Sequence, residues 1–200
     1  MKEIELKDVL NIAEYEKLRD TMRAEVIARK RNRRIELGPN MSLVLENRVT
    51  VLFQIQEMVR TERLVDDRKI QDEIDAYKNL IPGAGELSAT IFIEIPGISE
   101  MSHAEAQAAV NFFQGFDNGG IALEVGGSRS LAEFESGFSN DEKMAAVQYV
   151  KFRIDRSVEA ALEKSGTSVA IAADNGRYRA RASVSPAMVA EMLSDLKESS

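Results

Sequence analysis

The sequence predicts an α+β fold: a mainly antiparallel sheet built from hairpins, with a helical hairpin and terminal helices packed on it. Three observations predict it. From Leu87 to Ile95 the apolar residues Leu87, Ala89, Ile91, Ile93 and Ile95 alternate with Ser88, Thr90, Phe92 and Glu94, the period of a strand with one face in the core. Gly38-Pro39-Asn40, Gly126-Gly127 and Asp174-Asn175-Gly176 each separate two strand-like stretches, and connections this short join antiparallel neighbours. Elsewhere, apolar residues recur at helical spacing, and the helices are expected on one face of the sheet.

Taken in order, the first element is a helix over 12–32, with Asn11 as its cap and Tyr15, Leu18, Met22 and Val26 on one side. It ends in Arg29, Lys30, Arg31, Arg33 and Arg34; these could hold a phosphate, but cations also suit the negative end of a helix dipole. Residues 34–37 and 42–46 form a hairpin. A second helix begins near Arg48, and a third carries Ile70, Ile74, Tyr77 and Ile81 before Pro82-Gly83 stops it, so the pair reads as a helical hairpin. After the strand at 87–95, Ser102 and Glu105 have the spacing of a capping box in front of a short helix. Residues 120–125 and 129–135 read as a hairpin and 145–154 as a further strand. A helix over 156–164 precedes the hairpin of 168–173 and 177–183. The last helix has Ser185 as cap, Pro186 at its first position, and a stripe of Val189, Met192, Leu193 and Leu196.

With 200 residues, 44% hydrophobic and 30% charged, the chain can bury a core of its own, and one domain over 1–200 is expected. A formal charge of −7 disfavours nucleic acid and anionic membranes, both of which need a positive field. No apolar run has the length of a membrane span, and Met1 to Leu10 carries no secretion-type apolar core, so the cytoplasm is the expected compartment. The absence of cysteine removes thiolate nucleophiles, zinc-thiolate sites and iron-sulfur ligation. The one histidine, His103, reads as an exposed first-turn residue; no Gly-x-Ser-x-Gly elbow exists to pair with it. Gly83-Ala84-Gly85-Glu86 lacks the third glycine of a dinucleotide fingerprint, and the paired Glu-x-x-His motifs of a di-iron bundle are missing. No metal and no cofactor are expected.

One polar feature stands out. Gln56, Arg60 and Arg63 fall at i, i+4 and i+7 of the second helix, with Gln54 and Glu57 beside them. Arginine is a planar bidentate donor for carboxylate or phosphate and glutamine both donates and accepts, so the stripe could bind an anionic ligand or a partner. It could equally be a solvated face with pairs such as Arg63 with Asp67, or a buried network fixing how the helical hairpin docks.

The stretch Glu46-Asn47-Arg48-Val49-Thr50-Val51-Leu52-Phe53-Gln54-Ile55-Gln56-Glu57-Met58-Val59-Arg60, followed by Glu62-Arg63, resembles the signature of an uncharacterised bacterial family described only as a domain of unknown function. Residues 81–90 and 146–152 match it as well, while 97–120 departs from it and looks like a variable insertion. The resemblance implies a setting beside rubrerythrin-like di-iron proteins and heterodisulfide-reductase-like iron-sulfur proteins, and hence those as partners. The expectation is therefore a non-enzymatic accessory or binding protein of a cytoplasmic redox or oxidative-stress system, monomeric or a small homo-oligomer, using Gln54, Gln56, Glu57, Arg60 and Arg63. The alternative is an enzyme for a small anionic substrate, with Glu57 as general base or acid and Arg60 as anion clamp.

Overall fold

A computed structural model describes residues 1–135 and 144–199 of the chain. In chain order its elements are helix α1 (Ile12–Arg31), strands β1 (Arg34–Glu36) and β2 (Met41–Glu46), helices α2 (Arg48–Thr61) and α3 (Asp67–Tyr77), strand β3 (Glu86–Ile93), helix α4 (His103–Asn111), strands β4 (Ile121–Val125), β5 (Ser128–Phe134) and β6 (Val147–Arg153), helix α5 (Arg156–Glu163), strands β7 (Val169–Asp174) and β8 (Arg179–Ser183), and helix α6 (Pro186–Ser199). The strands form one eight-stranded sheet in the order β1-β2-β3-β6-β5-β4-β7-β8, antiparallel at every step. Its edges meet at one end. Tyr178, ahead of β8, donates its hydroxyl to the carbonyl of Leu37 at the β1-β2 turn. Gly38 permits that approach, because it adopts φ 76° and a Cβ there would lie 2.5 Å from the Tyr178 oxygen.

The concave side of the sheet holds the main core. Leu43 and Leu45 of β2, Leu87, Ala89 and Ile91 of β3 and Val150 and Phe152 of β6 point into it, where Met188, Met192 and Leu196 of α6 and Val158 and Leu162 of α5 meet them. The segment 97–120 contributes Val110, Phe113 and Phe116 to the same core.

The convex side of β2-β3-β6 is covered as well, by the helical hairpin and α1. Val51, Ile55 and Val59 of α2, Ile70 and Ile74 of α3, and Leu80 form a second core, and Tyr149 of β6 packs against it. Helices therefore lie on both faces of the sheet, where alternation in β3 alone predicts them on one. The reason is visible in β3 itself: its outward residues Ser88 and Thr90 are small, polar and buried, so a polar side chain there marks a covered face rather than a wet one.

One residue of the basic run ties the layers together. Arg33 is fully buried; its Nε donates to the Leu45 carbonyl at 3.0 Å, Nη1 to Glu191 at 2.6 Å, and Nη2 to Asp195. Asn47, the cap of α2, donates to Asp195 at 3.2 Å. Burial pushes the Asp195 carboxyl up from its ordinary value, and Arg33 and Asn47 pull it back. The neighbouring Arg34 pairs instead with Glu36 and Glu94 near the surface.

Candidate functional site

The polar residues of α2 divide between two faces. Gln56 is buried and grips the backbone of Leu10 twice: its Oε1 accepts from the Leu10 N–H at 2.9 Å and its Nε2 donates to the Leu10 carbonyl at 2.8 Å. Glu57 turns towards α1. Its Oε1 accepts from the Tyr15 hydroxyl at 2.7 Å and from Arg19 Nε at 2.8 Å, and its Oε2 accepts from Arg19 Nη2 at 2.9 Å. This bidentate pairing with Arg19, helped by Tyr15, draws the Glu57 carboxyl down to about 2. Burial, then the bond to Glu57, pushes the Tyr15 phenol upward, and Glu57 does the same to Arg19.

Arg60 sits at the edge of this cluster, 3.4 Å from Glu57 but without hydrogen-bond geometry, and 3.7 Å from Glu16. Arg63 does not share the stripe. The helix ends at Thr61, and Arg63 adopts φ 54° in the turn that follows, exposed to solvent. Gln54 faces elsewhere again, lining a pocket on the other side of α2.

That pocket lies over the convex face of the sheet and has a volume of about 170 Å³. Its polar walls are Lys30 from the last turn of α1, Glu46 at the end of β2, Thr50 and Gln54 of α2, Thr90 of β3 and Tyr149 of β6; Phe92 and Leu80 are among the apolar ones. Strand alternation places the site. Glu46, Thr90 and Tyr149 stand on adjacent strands of the outward set, with Val44 opposite Thr90 and Thr90 opposite Tyr149 in register, while their chain neighbours Leu45, Ala89 and Val150 enter the main core.

Glu46 is the unusual group. It is 7% exposed, and its Oε1 accepts a hydrogen bond from the Thr90 hydroxyl at 2.8 Å. Among the described residues no arginine, lysine or histidine forms a salt bridge with it. Its cross-strand partner Ser88 and, further along β2, Ser42 are also buried on this face, and neither hydroxyl has a hydrogen-bond partner among the described residues. Burial of the Tyr149 phenol, reinforced by Tyr77 and Glu46, pushes it up from its ordinary value.

These geometries differ in what they can do chemically. A general base works best with a pKa near the operating pH, so Glu57, held near 2 with both oxygens committed, is a weak one. Glu46 retains acceptor capacity inside a cavity. The space is below the roughly 300 Å³ at which pockets enclose drug-sized ligands, so whatever it seats in full has a handful of heavy atoms. Among the described residues no group of three or more histidine, aspartate or glutamate side chains is placed to hold a metal ion. No helix there is long and apolar enough to cross a membrane.

A model of a family described as a protein of unknown function, DUF3501, matches residues 3–196. The chain belongs to DUF3501. A crystal structure titled as a novel protein of unknown function from Burkholderia pseudomallei K96243 is similar to this DUF3501 chain at 28% identity and a TM-score of 0.86, covering 98% of this chain and 100% of that one. No curated protein matches.

Sequence reasoning passed over Glu46, Thr90, Tyr149 and Lys30 as site residues. A signal existed for three of them: Glu46 opens the first of the stretches that carry the family resemblance, Thr90 closes the second, and Tyr149 lies in the third. Lys30 is one of several cations at the end of α1, and nothing in its spacing sets it apart.

Proposed function

We propose that the chain is a binding protein that seats a small polar ligand in the pocket over Glu46, and that it serves as an accessory of a cytoplasmic redox or oxidative-stress system. The redox setting rests on the family resemblance, including rubrerythrin-like or iron-sulfur proteins as partners. The binding role rests on Glu46. Glu46 is largely buried, and among the described residues the Thr90 hydroxyl is the group that bonds it, which leaves most of its acceptor capacity facing the pocket. Elsewhere this fold does not leave such a group alone: Asp195, more deeply buried still, has Arg33 and Asn47. A largely buried carboxylate that lines a cavity with acceptor capacity to spare is the kind of polar group that fixes a ligand there.

The chain has no thiol with which to carry electrons itself, which agrees with an accessory role. The enzyme alternative through Glu57 and Arg60 is weaker, because Glu57 is both spent on Tyr15 and Arg19 and too acidic to take a proton near neutral pH.

Native mass spectrometry of the protein purified from its own host, beside a Glu46→Gln variant, tests the binding role. A retained small molecule in the wild type and its loss in the variant is the expected result. A clean apo mass for both would overturn it.

A further inference from the structure

The pocket contains two opposite charges that do not neutralise each other. Glu46 lies within it, and Lys30 lines it from the last turn of α1, partly buried. Neither forms a salt bridge among the described residues, with each other or with anything else. A ligand with a single charge would satisfy one of these groups and be repelled by the other, since in a sheltered cavity such interactions are only weakly screened.

We infer that the ligand is a small zwitterion of the amino-acid type, its ammonium group on Glu46 and its carboxylate towards Lys30; this rests on the binding role proposed above. Several features agree with that chemistry. An ammonium group brings three N–H donors, matching the open acceptor capacity of a carboxylate engaged only by Thr90. Tyr149 adds aromatic surface, which favours a cation over a neutral or anionic group, whereas the Phe92 ring already carries the Arg34 guanidinium 5.9 Å from its centroid. Gln54 brings a further donor and acceptor to the same pocket. The pocket's 170 Å³ is enough for an ammonium and a carboxylate joined by a short carbon chain. The overall acidity of the chain makes long-range attraction of a plain anion unfavourable, so an anionic end must be recognised locally.

The test is a titration of the full chain, followed by amide chemical shifts of pocket residues. The probes are glycine, β-alanine and γ-aminobutyrate, with ethylamine and propionate as single-charge controls. At least one of the three amino acids is expected to bind about tenfold or more tighter than either control, a preference equivalent to one decade in Kd. Glu46→Gln should weaken that amino acid about tenfold and abolish ethylamine binding, and Lys30→Met should reduce the amino acid to the level of ethylamine. Both substitutions keep side-chain size, and the glutamine can still accept from Thr90, so the fold is expected to survive. If ethylamine binds as tightly as every amino acid, or if Lys30→Met changes nothing, the zwitterion inference fails while the pocket remains a ligand seat. If no probe shifts any pocket residue, the inference also fails, and the native mass measurement then decides separately whether the seat itself stands.

Discussion

Two carboxylates flank helix α2 and are treated in opposite ways. Glu57, facing α1, is met by a phenol and by both arms of a guanidinium, and is only partly sheltered from water. Glu46, on the sheet side of the same helix, is more deeply buried and has one hydroxyl. Were both groups merely structural, the deeper one would be expected to have the richer set of partners, because desolvation costs more there. The inverse distribution separates architecture from site: Glu57 and Gln56 fasten α2 to the N-terminal segment and α1, whereas Glu46 keeps its capacity for something else.

Perturbing the partnered groups sharpens that contrast, and the largest effect is expected at Arg33. Replacing it with methionine leaves Asp195 buried without its cation and the Leu45 carbonyl without a donor, so urea unfolding should register a loss of about 3–5 kcal/mol. A loss below 1 kcal/mol would mean that water reaches this cluster on little rearrangement.

Glu57→Gln comes next. The carboxyl titrates at about 2 in the fold against an ordinary 4.5, so its stabilisation is complete above pH 4.5 and is lost as pH falls towards 2. The variant should therefore be roughly 2–3 kcal/mol less stable than the wild type at pH 7, with the gap narrowing through the window from 4.5 to 2. A gap that does not change with pH would show that the ion pair with Arg19 is not its source.

A smaller change, about 1–3 kcal/mol, is expected for Gln56→Ala, which orphans the N–H and the carbonyl of Leu10. Hydrogen exchange at the Leu10 amide should rise with it. The smallest effect belongs to Arg63, which holds a left-handed φ of 54° outside the helix. Arg63→Gly should be neutral or stabilise by up to about 1 kcal/mol, measured by thermal unfolding, since glycine adopts that conformation without strain. A clear loss of stability or of ligand binding there would restore Arg63 to the functional face.

What was legible in the sequence was what local chemistry decides. The caps Asn11, Ser102 and Ser185, the turn at Asp174-Asn175-Gly176 and the alternation of β3 are set by residues within a few positions of one another, and the structure places each where the pattern puts it. The α+β class follows from these. The layer arrangement does not, because the cover over the convex face depends on how α2 and α3 fold back on the sheet, and the outward Ser88 and Thr90 look the same whether a helix or water lies above them.

Arg33 shows the same limit from the other side. Within a run of helix-end cations it is indistinguishable from Arg34, and its burial is decided by Asp195, 162 residues away. The stripe on α2 was visible as a pattern of polar residues, but spacing along a helix cannot say that Gln56 and Glu57 would be met by Leu10, Tyr15 and Arg19, or that the helix would stop before Arg63. Glu46 closes a strand whose other residues are mostly apolar, where a charged end reads as the beginning of a loop.

The comparison between Glu46 and Glu57 is tested most directly by urea unfolding of Glu46→Gln and Glu57→Gln side by side at pH 7. Glu57→Gln should lose roughly 2–3 kcal/mol, while Glu46→Gln should stay within about 0.5 kcal/mol of the wild type, because no cation loses its partner and the amide oxygen still accepts from Thr90. If Glu46→Gln instead loses as much as Glu57→Gln, Glu46 is part of the architecture, and the pocket above it has no claim to be a ligand site.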